Sequence, residues 1–192
     1  MTKIVLASGS PRRKTLLEWA EIEFDILSRE TDESFPPGMN PADAAVYIAR
    51  GKAHATQGMD LYKRYEQHIP VLAADTIVVL DGEIIGKPAD REEAINILSK
   101  LSGKKHLVIT GVVILMEDKE ISFSDTTEVV FHPISFNDIC YYVDKYKPFD
   151  KAGAYAIQEW IGVVGIKSIN GDFYNVMGLP VSRVVNALAD NF

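Results

Sequence analysis

Only one cysteine, Cys140, occurs in this sequence. An internal disulfide framework is therefore excluded, and a reducing compartment, the cytoplasm, is expected. The setting Ile139-Cys140-Tyr141-Tyr142 is apolar and predicts a core position for the thiol. Long hydrophobic runs are missing too: no uncharged apolar stretch approaches the roughly 18 residues of a membrane span. The N-terminus has neither the charged region nor the apolar run of a secretion signal, so a soluble, membrane-free protein is expected. Positive charge is in deficit, with 20 Lys and Arg against 27 Asp and Glu and a net charge of −7. A general nucleic-acid or anionic-membrane binder needs a basic face. Neither partner is expected, whereas a small phosphorylated ligand requires only a local basic cluster.

Several signatures of nucleotide and ester chemistry are also absent. No G-x-G-x-x-G supports a dinucleotide fold. The segment Gly82 to Lys87 is one residue short of a P-loop, and Pro88 stands where Ser or Thr belongs. Without a G-x-S-x-G elbow, Ser8 and Ser10 read as hydrogen-bond donors rather than nucleophiles. His54, His68, His106 and His132 are scattered without ligand spacing, which argues against zinc.

The elements that are present alternate in type. Strands are predicted over Ile4 to Ala7, Phe24 to Leu27, Val71 to Leu80, Glu83 to Ile85, His106 to Met116 and Ile121 to Phe131. Asp81-Gly82 and Glu117-Asp118 mark the hairpin turns. Helices are predicted from Pro11, with an apolar face of Leu16, Leu17 and Ala20, and from Asn40-Pro41 to Gln57. Another runs from an Asp90/Glu93 capping box to Leu101, one from Ser135 to Lys145, and an amphipathic one from Pro180. Asp60 to His68 reads as a connection, and Phe149 to Gly171 as loop with short elements. This pattern is α/β, a three-layer αβα arrangement around a central mixed sheet. The 192 residues, 47% hydrophobic, suit a single domain over residues 1–192.

Two stretches carry chemistry. In Ala7-Ser8-Gly9-Ser10-Pro11-Arg12-Arg13 a strand and a Gly/Ser turn lead into a helix capped by Ser10. A helix start bears about half a positive charge and unpaired N–H groups. Two arginines there are unfavourable unless an anion sits among them, so the stretch points to a phosphate site. In Val71 to Val79, strand alternation puts Asp75 on one face with Val71, Ala73, Ile77 and Val79. A carboxylate there must be paired, hydrogen-bonded or metal-linked; Asp75 reads as a catalytic or metal-linked carboxylate, the blander alternative being a strand-end Asp bonded to nearby backbone N–H groups. Lys87 is held extended by Pro88. Asp32-Glu33 sits in a polar loop and Lys52 on the long helix. Taken singly, those three sites read as solvated surface charges.

Together these stretches resemble the Maf family of nucleoside triphosphate pyrophosphatases. The resemblance runs from Ala7-Ser8-Gly9-Ser10-Pro11-Arg12-Arg13 through Asp32-Glu33, Ala73-Ala74-Asp75-Thr76, Gly86-Lys87-Pro88, Leu101-Ser102-Gly103 and Thr110-Gly111-Val112. It continues through Gly153-Ala154-Tyr155-Ala156-Ile157-Gln158 to Asn175-Val176-Met177-Gly178-Leu179-Pro180. It implies a fold similar to inosine triphosphate pyrophosphatases, with two lobes flanking a cleft, a divalent metal (Mg²⁺ or Mn²⁺) and, in many members, a homodimer. Gly86-Lys87-Pro88 and Gly153 to Gln158 resemble the dTTP/UTP branch rather than the one acting on 7-methyl-GTP. Specificity in that branch would fall on Arg12, Thr76 and Gln158, the last because an amide offers both donor and acceptor to a pyrimidine edge. Ala156 and Glu159-Trp160-Ile161 depart from the family's glycine-rich pattern there.

The activity so implied is hydrolysis of dTTP, UTP and modified pyrimidine nucleotides to monophosphate and pyrophosphate, cleansing the nucleotide pool. Asp75, Glu33, Lys52 and Lys87 would be catalytic, Asp75 and Glu33 also metal-holding. Ser8, Ser10, Arg12, Arg13, Thr76 and Gln158 would bind substrate. The alternatives are a nucleotide-binding regulator of septum formation without significant catalysis, and a general phosphatase releasing orthophosphate.

Overall fold

A computed structural model describes residues 2–65 and 69–192. Seven strands are found among them: β1 Ile4–Leu6, β2 Phe24–Ile26, β3 Val71–Leu80, β4 Glu83–Ile85, β5 Lys105–Met116, β6 Lys119–Phe131 and β7 Ile166–Asn170. The helices are α1 Pro11–Trp19, α2 Pro41–Gln57, α3 Arg91–Leu101, α4 Phe136–Tyr146, α5 Trp160–Gly165, α6 Phe173–Met177 and α7 Val181–Asn191. No helix among the described residues is long and apolar enough to cross a membrane. Of the connection expected at Asp60 to His68, the described part contains a 3-10 turn, Tyr62–Arg64; His68 lies outside the described residues.

The sheet runs β2-β1-β3-β5-β6-β7, with β4 on β3. Strands β2 and β3 both pair with β1 in parallel, whereas β3–β4 and β6–β7 are antiparallel. The sheet is thus mixed and flanked by helices, as the alternating pattern predicts. Strand β7 falls in the stretch that reads as loop with short elements: five residues without clear alternation carry little sequence signal, and antiparallel pairing with β6 defines it. Helices α5 and α6, of six and five residues, are too short to show periodicity.

Local corrections have physical causes. Ser10 is the residue before α1, but its hydroxyl makes no cap bond; its N–H donates to Ser8 Oγ at 3.3 Å. At α3 the Glu93 N–H donates to Asp90 Oδ1 at 2.9 Å, while the Glu93 carboxylate accepts from Ala89 N–H rather than from Asp90. Cys140 is half-buried, not core. The inward face of α4 carries Ile139, Tyr142 and Val143, and Cys140 lies about 100° round from Ile139.

The chain divides into two compact units: residues to Asp75 with Thr110–Asp125 and Gly178–Phe192, and Thr76–Ile109 with Thr126–Met177. In the first, Ala49 and Ala53 of α2 pack with Val5, Ala7, Val71, Ala73, Val113 and Leu115. The approach is close enough that a Cβ on Gly111 would lie 2.3 Å from the backbone of Ala45 and Val46. Only glycine lets α2 settle this near β5. Helix α7 is tied into the same unit by Arg183, which donates to Ser124 C=O at 2.7 Å and Asp125 Oδ2 at 2.8 Å.

The second unit packs α3 against α4, with Arg91 donating to both carboxylate oxygens of Asp144. His106, Phe131 and Tyr155 meet edge-on there, with ring centroids 5.0 to 5.4 Å apart. His106 is hydrogen-bonded to the Tyr155 hydroxyl at 2.7 Å. Burial pulls its pKa down to about 4 and pushes that of Tyr155 up. The unfolded chain takes up a proton near pH 6.5 that the folded chain refuses until about pH 4. Stability from this neutral imidazole is therefore present above pH 6.5 and lost as acid approaches pH 4. Urea titrations at pH 7 and 4.5 should show the wild type losing about 2–3 kcal/mol more than His106→Gln between the two conditions.

Candidate functional site

The start of α1 builds the first part of the site. Pro11 begins the helix, and no acidic residue lies in its first turn; Arg12 and Arg13 occupy it instead. Arg13 is spaced i, i+3 and i+4 from Leu16 and Leu17, so the helix turns it inward with them, and it is buried. Its Nε donates to the Gly178 carbonyl at 2.8 Å and its Nη1 to Ser8 Oγ at 3.0 Å. Ser8 is buried as well. Burial lowers the Arg13 pKa, the negative charge of Asp75 opposes that shift, neighbouring Arg12 adds to it, and Glu33 opposes it more weakly. Arg13 thus lies within the electrostatic reach of both carboxylates.

The second part is a carboxylate–ammonium–carboxylate bridge. The face of β3 that carries Val71 and Ala73 packs with Ala49 and Ala53 of α2. Strand alternation keeps Asp75 on that face, and Lys52 adjoins Ala53 on the helix. Lys52 Nζ donates to Asp75 Oδ1 at 2.6 Å and to Glu33 Oε1 at 2.7 Å. The side chains of Asp75 and Lys52 are only 10% and 15% exposed, against 43% for Glu33. Asp75 is therefore the sheltered end of the bridge and Glu33 the solvent end. Asp32 is taken up locally, accepting from Ser34 N–H at 2.9 Å and from Ser34 Oγ at 2.6 Å.

Ser8, Ser10, Arg12, Arg13, Glu33, Lys52 and Asp75 all belong to the first unit, whereas Thr76, Lys87 and Gln158 belong to the second. In the second unit Thr76 is half-buried on β3, and Lys87 and Gln158 are exposed. The Gly86 carbonyl, next to Lys87, accepts from Gly153 N–H at 3.2 Å. This bond joins the Gly86-Lys87-Pro88 stretch to the Gly153–Gln158 stretch. One contributor carries no signal of its own in the sequence. Gly178, which anchors Arg13 through its carbonyl, is 165 positions away and offers no side chain to notice.

The donor set bears on a metal. Among the described residues no group of three or more His, Cys, Asp or Glu is placed to hold an ion, so there is no all-protein cage. Asp75 and Glu33 do reach one and the same ammonium. Two carboxylates around a cationic point fit Mg²⁺, which usually keeps water and takes one or two carboxylates together with substrate phosphates.

The family described as Maf-like protein matches residues 3–191. The chain is 50% identical over 191 residues to a dTTP/UTP pyrophosphatase of Cytophaga hutchinsonii, covering 100% of this chain and 85% of that one. It is 48% identical to a protein of the same name from Parabacteroides distasonis, over 97% of this chain and 94% of the relative. A third so named, from Bacteroides thetaiotaomicron, is 45% identical with the same coverage.

Arg13→Ala removes a buried donor from two acceptors. It should lower stability by about 2–3 kcal/mol in urea titration. Arg13→Lys keeps the charge without the fork and should recover less than half of that loss.

Proposed function

This chain belongs to the Maf family, and on that premise we propose that it hydrolyses dTTP and UTP to the nucleoside monophosphate and pyrophosphate. The observation that carries this reading is the bridge of Lys52 between Asp75 and Glu33, within the electrostatic reach of the arginine at the helix start. A triphosphate brings close to four negative charges toward a protein of net charge −7. Arg12, Arg13 and Lys52 of the first unit offset them, aided by the start of α1, and Lys87 of the second unit is a further cation for the phosphate tail. Ser8 and Ser10 donate to phosphate oxygens, and Thr76 and Gln158 read the pyrimidine.

Asp75 orients a water, takes its proton and directs it at the α-phosphorus. Lys52 holds that carboxylate in place through its hydrogen bond at 2.6 Å. A divalent cation, Mg²⁺ or Mn²⁺, would be held by Asp75 and Glu33, and when bound it supplies charge neutralisation to the phosphate tail. Modified pyrimidine triphosphates fall within the same reading, as does a cytoplasmic location beside the nucleotide pool, which a single cysteine suits. Binding without turnover, as in a regulator of septum formation, has no observation in its favour.

Incubation with dTTP, UTP and 7-methyl-GTP in Mg²⁺ or Mn²⁺ should release pyrophosphate, fastest from the first two. Orthophosphate as the first product, or tight binding with no product, would refute the proposal. Asp75→Asn keeps the shape but removes the charge, and should lower kcat about 10²–10⁴-fold while the fold survives. A variant with most of its rate intact would displace Asp75 from the role of base.

A further inference from the structure

In the second unit Gln158 sits on a turn that is held from an unexpected direction. The residues before it, Tyr155, Ala156 and Ile157, are buried, while Gln158 is exposed. Glu159 N–H donates to the Ala156 carbonyl at 3.1 Å, closing a four-residue turn with Gln158 at its third position. Both ends of the turn meet one hydroxyl. Tyr142 Oη accepts from Ala156 N–H at 3.2 Å and donates to the Glu159 carboxylate in a short hydrogen bond.

That carboxylate does not serve the helix it precedes. Glu159 precedes the first residue of α5, yet its side chain makes no cap bond to that helix. It turns instead to Tyr142, with Lys151 Nζ 3.6 Å away. Lys151 is buried, and Tyr142 is fully so. Helix α5 closes the other side, since a Cβ on Gly162 would lie 1.8 Å from the Ile157 carbonyl oxygen. The turn therefore cannot shift toward α5, and a buried hydroxyl stops it opening on the α4 side.

We infer that Tyr142 is a positioning residue: its hydroxyl, shared between Ala156 N–H and the Glu159 carboxylate, fixes the turn so that the Gln158 amide faces the base in a single orientation. This rests on the role given to Gln158 above. An amide discriminates bases only if its donor and acceptor are presented in a fixed order, and a preformed turn spares the ordering entropy at binding. Because the base is remote from the bond that breaks, loosening the turn affects selectivity and KM rather than kcat.

The test compares wild type, Tyr142→Phe and Glu159→Gln on dTTP, dGTP and inorganic tripolyphosphate, which has no base. Tyr142→Phe should raise KM for dTTP about tenfold and reduce the preference for dTTP over dGTP by a similar factor, the size expected for one charge-assisted hydrogen bond. Its kcat and its action on tripolyphosphate should stay at wild-type levels. Glu159→Gln, which still accepts from the hydroxyl, should remain close to wild type. If Tyr142→Phe fails to fold, Glu159→Ala carries the same expectation at a smaller size. Unchanged KM and selectivity in the folded variant, or an equal loss on tripolyphosphate, would overturn the positioning role. A wild type that turns over none of the nucleotides would instead remove the pyrophosphatase reading, and the inference with it.

Discussion

A lysine ammonium lodged between two carboxylates organises the first unit of this protein. Asp75 lies on an otherwise apolar strand face, where an unpaired carboxylate would cost several kcal/mol. Lys52 answers that charge at 2.6 Å and carries the connection out to Glu33 in the loop. The bridge depends on how closely the helix lies on the sheet. Alanines at 49 and 53 and the bare backbone of Gly111 allow that approach, so packing choices remote from the reacting groups set the reach of the lysine.

The arginine at the helix start obeys the same economy of buried charge. Arg13 is sheltered, and its guanidinium is held at two points by a serine hydroxyl and a backbone carbonyl from the far end of the chain. Its proximity to Asp75 and Glu33 offsets part of the cost of burial. Arginine suits such a place because its charge survives desolvation and its planar fork loses little freedom when held. A triphosphate entering this unit would meet groups already fixed in position, which is what electrostatic catalysis requires.

The second unit uses neutral polar groups for a comparable purpose. A neutral imidazole and a tyrosine hydroxyl pair among three aromatic rings, and a second tyrosine joins two ends of one turn. The departures from the family's glycine-rich pattern, Ala156 and Glu159, are the two residues that this hydroxyl links.

Much was legible in the chain itself. The run Val71 to Leu80 is a strand end to end, Asn40-Pro41 opens the long helix, and Asp75 is buried as alternation required. These features depend on near neighbours, so periodicity, caps and turn residues determine them. A basic helix start beside a Gly/Ser turn announced an anion, and motifs in a constant order announced the family. Tertiary structure alone decided that Lys52 is no surface charge, that Glu33 joins Asp75 through it, that Arg13 is anchored on Gly178, that Cys140 slips to the edge of its helix face, and that the Tyr142 hydroxyl meets both ends of one turn. Each of these joins residues whose separation in the sequence carries no period, and only the packing of helix on sheet, acting through burial and distance, chooses which side chains meet.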